Sequence, residues 1–449
     1  MNRLSRYLLL AGLGLAPATA MAQARIVPYE APANLPVKQV QAVPAQMPMA
    51  PTSPSPAPAA PSAAPAIVMP EPAPCTSGCE PAEEEQKPAD KFFLEKQLDK
   101  TAAGKLLSDR GWRIYGWTQS SYNASSASRS NLPVPFIDRA NEFSMMQNWL
   151  HVEKTIDTSK KEYQIGGVID AIIPGTDSRF TLARGLFDEQ NRNGDLYGFD
   201  LFQAYADVFL PNFGANGTTM RVGKFATFLE YEVVQGISNP FLSRSYLFQY
   251  NPFTHTGINF LTQLNDDWSM QNGVVLGSDN FIDPAARASY LGQLKWAPKD
   301  GKTSVAFGTT VTRPTYRRGE EFNFYNVYNL QVTHKITDKL SYVFDGSFSH
   351  IEKAPVVGSA NWFGAVNYLA YAHTDRFTSN FRVELFNDTQ GYRTGAEALY
   401  TAVTYGWTWK ATDWFYLMPE VRYDYASKNG PFEGDRDLFT AAIGAILRW

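Results

Sequence analysis

The chain is poor in cysteine, in long apolar runs and in net charge, and each shortage closes a route. Its 449 residues hold only two cysteines, Cys75 and Cys79, spaced as Cys-Thr-Ser-Gly-Cys. Two thiolates fall short of the four ligands of a structural zinc site. In a secreted chain such a pair is expected as a small local disulfide. Beyond the first residues no stretch offers the eighteen or more apolar residues of a transmembrane helix. If the chain enters a membrane, it does so as strands. Lys and Arg number 40 against 44 Asp and Glu, so the basic surface that nucleic acid requires is not expected.

Motifs of catalysis are also missing. The five histidines, His151, His255, His334, His350 and His373, fall on five different strand candidates. None has the spacing of His-Glu-x-x-His, and no Gly-x-Ser-x-Gly is present. No catalytic residue, cofactor or metal is expected, and the chain is not expected to be an enzyme. One near-miss is Glu189-Gln-Asn-Arg-Asn-Gly194 with Asp200 after it, which partly matches a calcium loop. It starts with Glu in place of Asp, ends with Asp in place of Glu, and lacks flanking helices. A solvated acidic loop is the plainer reading.

What is present is alternation. From Ala398 onward, three runs place an apolar or aromatic residue at every second position. The first is Leu399, Thr401, Val403, Tyr405, Trp407 and Trp409. The second carries Phe415, Leu417, Val421, Tyr423 and Tyr425, opposed by Glu420, Arg422 and Asp424. The third, Phe439 to Trp449, ends on the last residue. Period two means strand. Runs of ten to thirteen residues are about twice the common soluble strand and match a tilted bilayer crossing. Aromatics near the strand ends suit interfacial girdles.

In chain order, residues 1–22 read as a cleaved secretory signal, with Arg3 and Arg6, a short apolar core, and Ala20-Met21-Ala22 before Gln23. Residues 23–90 hold 16 of the 29 prolines and are expected to be a disordered periplasmic linker. Extended as polyproline II it would span ~210 Å at ~3.1 Å per residue, far enough for contact with the cell wall. Residues 91–110 place Leu94, Leu98, Ala102 and Leu106 at a spacing of four, which predicts one short amphipathic helix. From Gly111 to Trp449 sixteen strand candidates follow, near 112–123, 140–155, 161–172, 199–210, 218–227, 253–264, 268–278, 287–297, 303–313, 321–336, 339–351, 361–373, 376–387, 397–410, 414–426 and 438–449. Even-numbered strands are followed by short polar turns and odd-numbered strands generally by longer loops. That asymmetry belongs to an all-β, antiparallel transmembrane barrel. Sixteen strands leave room for an aqueous channel.

Several stretches resemble the β-barrel porin family 2, the OmpL-like outer-membrane porins. They are Val222-Gly-Lys-Phe-Ala-Thr-Phe-Leu-Glu-Tyr-Glu232, Asn239-Pro-Phe-Leu-Ser-Arg-Ser-Tyr246, Asn251-Pro-Phe-Thr-His-Thr-Gly257, Arg382-Val-Glu-Leu-Phe-Asn-Asp-Thr-Gln-Gly391 with Arg393-Thr-Gly395, and Pro419-Glu-Val-Arg-Tyr-Asp424. The resemblance spans roughly 111–449 and implies an outer-membrane pore for small hydrophilic solutes or ions, with membrane lipid as its surroundings. A homotrimer is an open possibility. The rival reading is a structural envelope protein whose barrel anchors the linker to the cell wall.

Strict alternation turns Arg382 and Glu384 inward if Phe381, Val383 and Leu385 face lipid. The same holds for Glu420, Arg422 and Asp424. Residues 227–252 are rich in rings (Phe228, Tyr231, Phe241, Tyr246, Phe248, Tyr250) and carry only Glu230, Glu232 and Arg244 as charges. Leaving those rings in water is unfavourable by about 25 cal/mol per Å². The segment is therefore expected to fold against the lumen wall or to pack on a neighbouring subunit. In the first case Glu230, Glu232, Arg244 and His255 would border the narrowest section.

Overall fold

A computed structural model describes residues 91–282, 287–312, 325–354 and 357–449. The signal (1–22), the linker (23–90) and Cys75 and Cys79 lie outside the described residues. Sixteen antiparallel strands close into one barrel, each paired to its sequence neighbours and β1 to β16. They are β1 (Trp112–Ser125), β2 (Glu142–Lys154), β3 (Gln164–Gly175), β4 (Gly198–Leu210), β5 (Thr218–Ala226), β6 (Thr254–Gln263), β7 (Trp268–Val275) and β8 (Ser289–Trp296). The second half is β9 (Thr303–Thr312), β10 (Asn326–Lys335), β11 (Leu340–Ala354), β12 (Gly358–Thr374), β13 (Phe377–Asp388), β14 (Ala398–Lys410), β15 (Phe415–Ala426) and β16 (Asp437–Arg448). Every strand overlaps its expected segment. Among the described residues five short α-helices, α1 (Phe93–Leu98), α2 (Ala102–Asp109), α3 (Ser178–Thr181), α4 (Glu189–Asn193) and α5 (Tyr246–Tyr250), and one 3-10 turn (Gly236–Ser238) accompany the strands. No described helix is long and apolar enough to cross a membrane.

Closure follows from the last strand. Gly116 and Trp449 exchange both backbone hydrogen bonds at 2.9 Å, and the Trp449 indole Nε1 donates to Thr118 Oγ1 at 3.2 Å. A barrel satisfies every strand N–H and C=O internally, which is the condition for strands in hydrocarbon. Outward residues keep the alternation of the sequence. Val403, Tyr405, Trp407 and Trp409 on β14, Val421, Tyr423 and Tyr425 on β15, and Phe439, Ile443 and Leu447 on β16 are all exposed. In lipid this apolar face is the stable one.

The single helix expected over 91–110 is two. Thr101 adopts an extended conformation, and its Oγ1 accepts the Gly104 N–H at 2.9 Å, starting a new helix. Gly104 also permits the close approach of α2 to the end of α1. A Cβ there would lie 1.9 Å from the Leu98 carbonyl oxygen.

The interior on the long-loop side is a packed apolar core. Trp117 and Trp149 stack at 5.2 Å, Phe136 and Phe180 at 5.1 Å, and Phe248 meets Phe253 at 5.3 Å. Phe136 comes from the β1–β2 loop, Phe180 from α3, and Phe248 from the β5–β6 connection. The loops thus bring their rings inside the barrel, where wall residues such as Phe202, Trp362 and Ile446 bury them.

Candidate functional site

Residues 227–253, between β5 and β6, run through the lumen and are held on several sides. Irregular backbone in a buried setting leaves N–H and C=O groups without ladder partners, and each must be satisfied. The wall supplies the partners. Asp345 on β11 accepts the Tyr231 N–H at 2.8 Å. Glu420 on β15 accepts from Leu242 at 2.6 Å and from Ser243 at 3.2 Å. Glu384 on β13 accepts the Tyr246 N–H at 2.7 Å, at the start of α5. Within the segment Glu232 accepts the Ser245 N–H at 2.7 Å.

Guanidinium groups serve the carbonyls. Arg382 on β13 donates to the Ser243 carbonyl at 3.1 Å and pairs with Glu232 at 2.6 Å. Arg422 on β15 donates to the Arg244 carbonyl at 2.8 Å and binds Asp424 and Glu384 at 2.7 and 3.0 Å. Arg244 turns back on its own segment, donating to the carbonyls of Val233, Phe241 and Leu242. Tyr246 Oη donates to Asp424 at 2.8 Å. These side chains are buried. A charge-assisted bond to a buried carboxylate is worth about twice a neutral one, so this seat is a strong one.

The expected site residues therefore divide. Glu232, Arg244, Arg382, Glu384, Glu420, Arg422 and Asp424 form one connected network between segment and wall. Their charges are taken up by that network. Glu230 is set apart: it accepts from Asn251 and faces Asp345, and burial followed by that second carboxylate holds it well above the usual range. His255 sits at the start of β6, with Nε2 3.0 Å from Thr227 Oγ1 and Nδ1 3.1 Å from the Gly277 carbonyl. It links the first residue of the segment to the strand that follows it.

Sequence reasoning missed the neutral amides. Gln147 on β2 accepts the Gly236 N–H at 3.0 Å and donates to the Val234 carbonyl at 2.7 Å. On another part of the wall, Gln293 on β8 and Gln331 on β10 both donate to the Phe228 carbonyl. Asn251 is bonded by Ser349 and donates to Ser347, each at 2.7 Å. Their only sequence signal was an amide or hydroxyl on the inward parity of a strand.

The stretch from Glu189 to Asp200 does not fold as a single solvated loop. Glu189–Asn193 is helix α4, and Asp200 on β4 lies 3.5 Å from Lys224 and accepts from Thr181 at 2.6 Å. No group of three metal-ligating side chains occurs among the described residues.

Toward the short-turn side the inner wall becomes polar. On β1–β5 its charges lie close to partners of opposite sign: Arg113 with Glu95 of α1 at 2.9 Å, His151 with Asp170 at 2.6 Å and with Glu153 at 3.5 Å, and Arg221 with Asp207 at 2.8 Å.

A family model described as "Putative beta-barrel porin-2, OmpL-like" matches residues 112–448. Among solved structures the chain is similar to an anion-selective porin from Comamonas acidovorans, with TM-score 0.52 and 10% identity over 75% of this chain and 99% of that one. It is also similar to the outer membrane channel DcaP of Acinetobacter baumannii, with TM-score 0.51 and 9% identity over 75% of this chain and 97% of that one. At these identities the likeness is one of fold. No curated protein matches the chain as a relative in sequence.

Proposed function

The chain belongs to the OmpL-like β-barrel porin-2 family, whose outer-membrane barrels form channels for solute diffusion, and on that premise we propose that residues 227–253 are its constriction. Small hydrophilic solutes or ions pass by diffusion, and the position of this segment sets the width of the path. The observation that carries the reading is the seat itself. Wall residues on β2, β8, β10, β11, β13 and β15 hold one segment across a lumen that sixteen strands would otherwise leave wide. The charges that seat the segment are buried and paired with one another, so they hold it in place rather than border the path, and the segment acts through pore diameter.

On the same reading the protein performs no covalent chemistry and residues 1–22 are removed at export. The proline-rich residues 23–90 then lie on the periplasmic side, toward the cell wall. Conductance of the purified chain in a planar bilayer tests the proposal. Stepwise single-channel currents are expected; folded, inserted protein that carries no current would contradict it.

A further inference from the structure

The close pairing of charge on β1–β5 does not continue round the rest of the inner wall. On β8, Leu294 and Tyr290 face outward while Gln293 reaches the lumen segment, so Lys295 shares the inward parity. On β10, Gln331 reaches the same carbonyl, so Lys335 is inward as well. Lys295 lies about 7 Å and Lys335 about 13 Å beyond those amides toward the short-turn side, at ~3.3 Å per residue. Further round, Lys410 and Arg448 flank the inward ring of Tyr416 at 5.7 and 5.6 Å.

Among the described residues no carboxylate side chain pairs with these four. Below the seat of the segment, the described inward positions of β6 through β16 carry amides, hydroxyls, small and apolar residues, and no Asp or Glu. The nearest wall acids, Asp345, Glu384 and Glu420, already accept hydrogen bonds from the segment. Aspartates do occur in the short turns. Asp266 and Asp413 pair with Lys299 and Arg376 at 2.7 and 2.8 Å, and all four side chains are more than half exposed. Charges in bulk solvent are screened within about a Debye length, ~8 Å at physiological salt. Charges on a concave, low-dielectric wall are focused into the lumen.

From this imbalance we infer that the short-turn half of the lumen is a cationic vestibule that collects small anions, so that the channel prefers anionic solutes. The inference rests on the channel reading above and names its substrate class. Lys295 is the residue that decides it most, since it is half-buried in the wall and sits nearest the segment.

The test is the reversal potential of the purified full chain in a KCl gradient across a planar bilayer. The sign for chloride over potassium is expected. Lys295→Gln with Lys335→Gln should shift the potential toward zero, Lys295→Glu should shift it further, and Lys295→Arg should leave it in place. Current with a potassium preference, or an anion preference that the lysine substitutions do not move, would overturn the inference and leave the channel standing. Absence of current from inserted, folded protein would overturn the channel reading, and the inference with it.

Discussion

Arg382 on β13 and Glu232 in the lumen segment meet at 2.6 Å, and neither side chain is more than 1% exposed. This ion pair joins a charge of the segment to a charge of the wall. Removing one partner of a buried pair strands the other charge and typically costs ~3–5 kcal/mol. Arg382→Met should therefore lower the unfolding midpoint in detergent by a large margin. Pairing it with Glu232→Leu should recover part of the loss. A single variant as stable as the native chain would show that the pair does not hold the segment.

Acid should stabilise the long-loop side. Asp177, which precedes α3, is buried beside Gln147, and burial pushes its carboxyl up to about 7 despite the pull of Arg244. A carboxyl raised on folding contributes stability that is fully present below its unfolded value, near 3.8, and is lost as pH rises through about 7. The swing is on the order of 4 kcal/mol for roughly three pKa units. Denaturant unfolding of the native chain and Asp177→Asn between these limits checks it. The native chain should lose stability relative to the variant as pH rises; parallel profiles would remove Asp177 from the account.

Deleting Leu447 to Trp449 takes away the exchanged bonds between Gly116 and Trp449 and shortens β16. An unpaired strand edge cannot persist in hydrocarbon. Heat-modifiable, membrane-inserted protein should fall to a small fraction of the native level. Normal assembly of the truncation would contradict closure at this strand.

The barrel was legible in the sequence because it rests on local periodicity. Phe439, Ile443 and Leu447 alternate with Leu438, Ala442 and Ile446, and only a strand with two different environments keeps that pattern in place. Parity also placed Arg382, Glu384, Glu420, Arg422 and Asp424 inward, and ring content marked residues 227–252 as a segment needing burial. The partners of these groups were not legible. Glu420 lies 178 residues from Leu242, and Gln147 lies 89 from Gly236, distances over which no spacing rule acts. The break at Thr101 was hidden for a different reason. Helical periodicity continues through it, while one hydroxyl cap and the close approach at Gly104 decide the geometry.

The central claim is that the lumen segment narrows the path, and deleting Val233 to Phe248 tests it most directly. Strand pairing carries the barrel, so the deletion leaves closure intact while it removes the segment's main seats on β2, β13 and β15. Single-channel conductance of the deleted chain, recorded beside that of the native chain in one salt, is expected to be several-fold larger. Equal conductance from a folded, inserted deletion would contradict the claim.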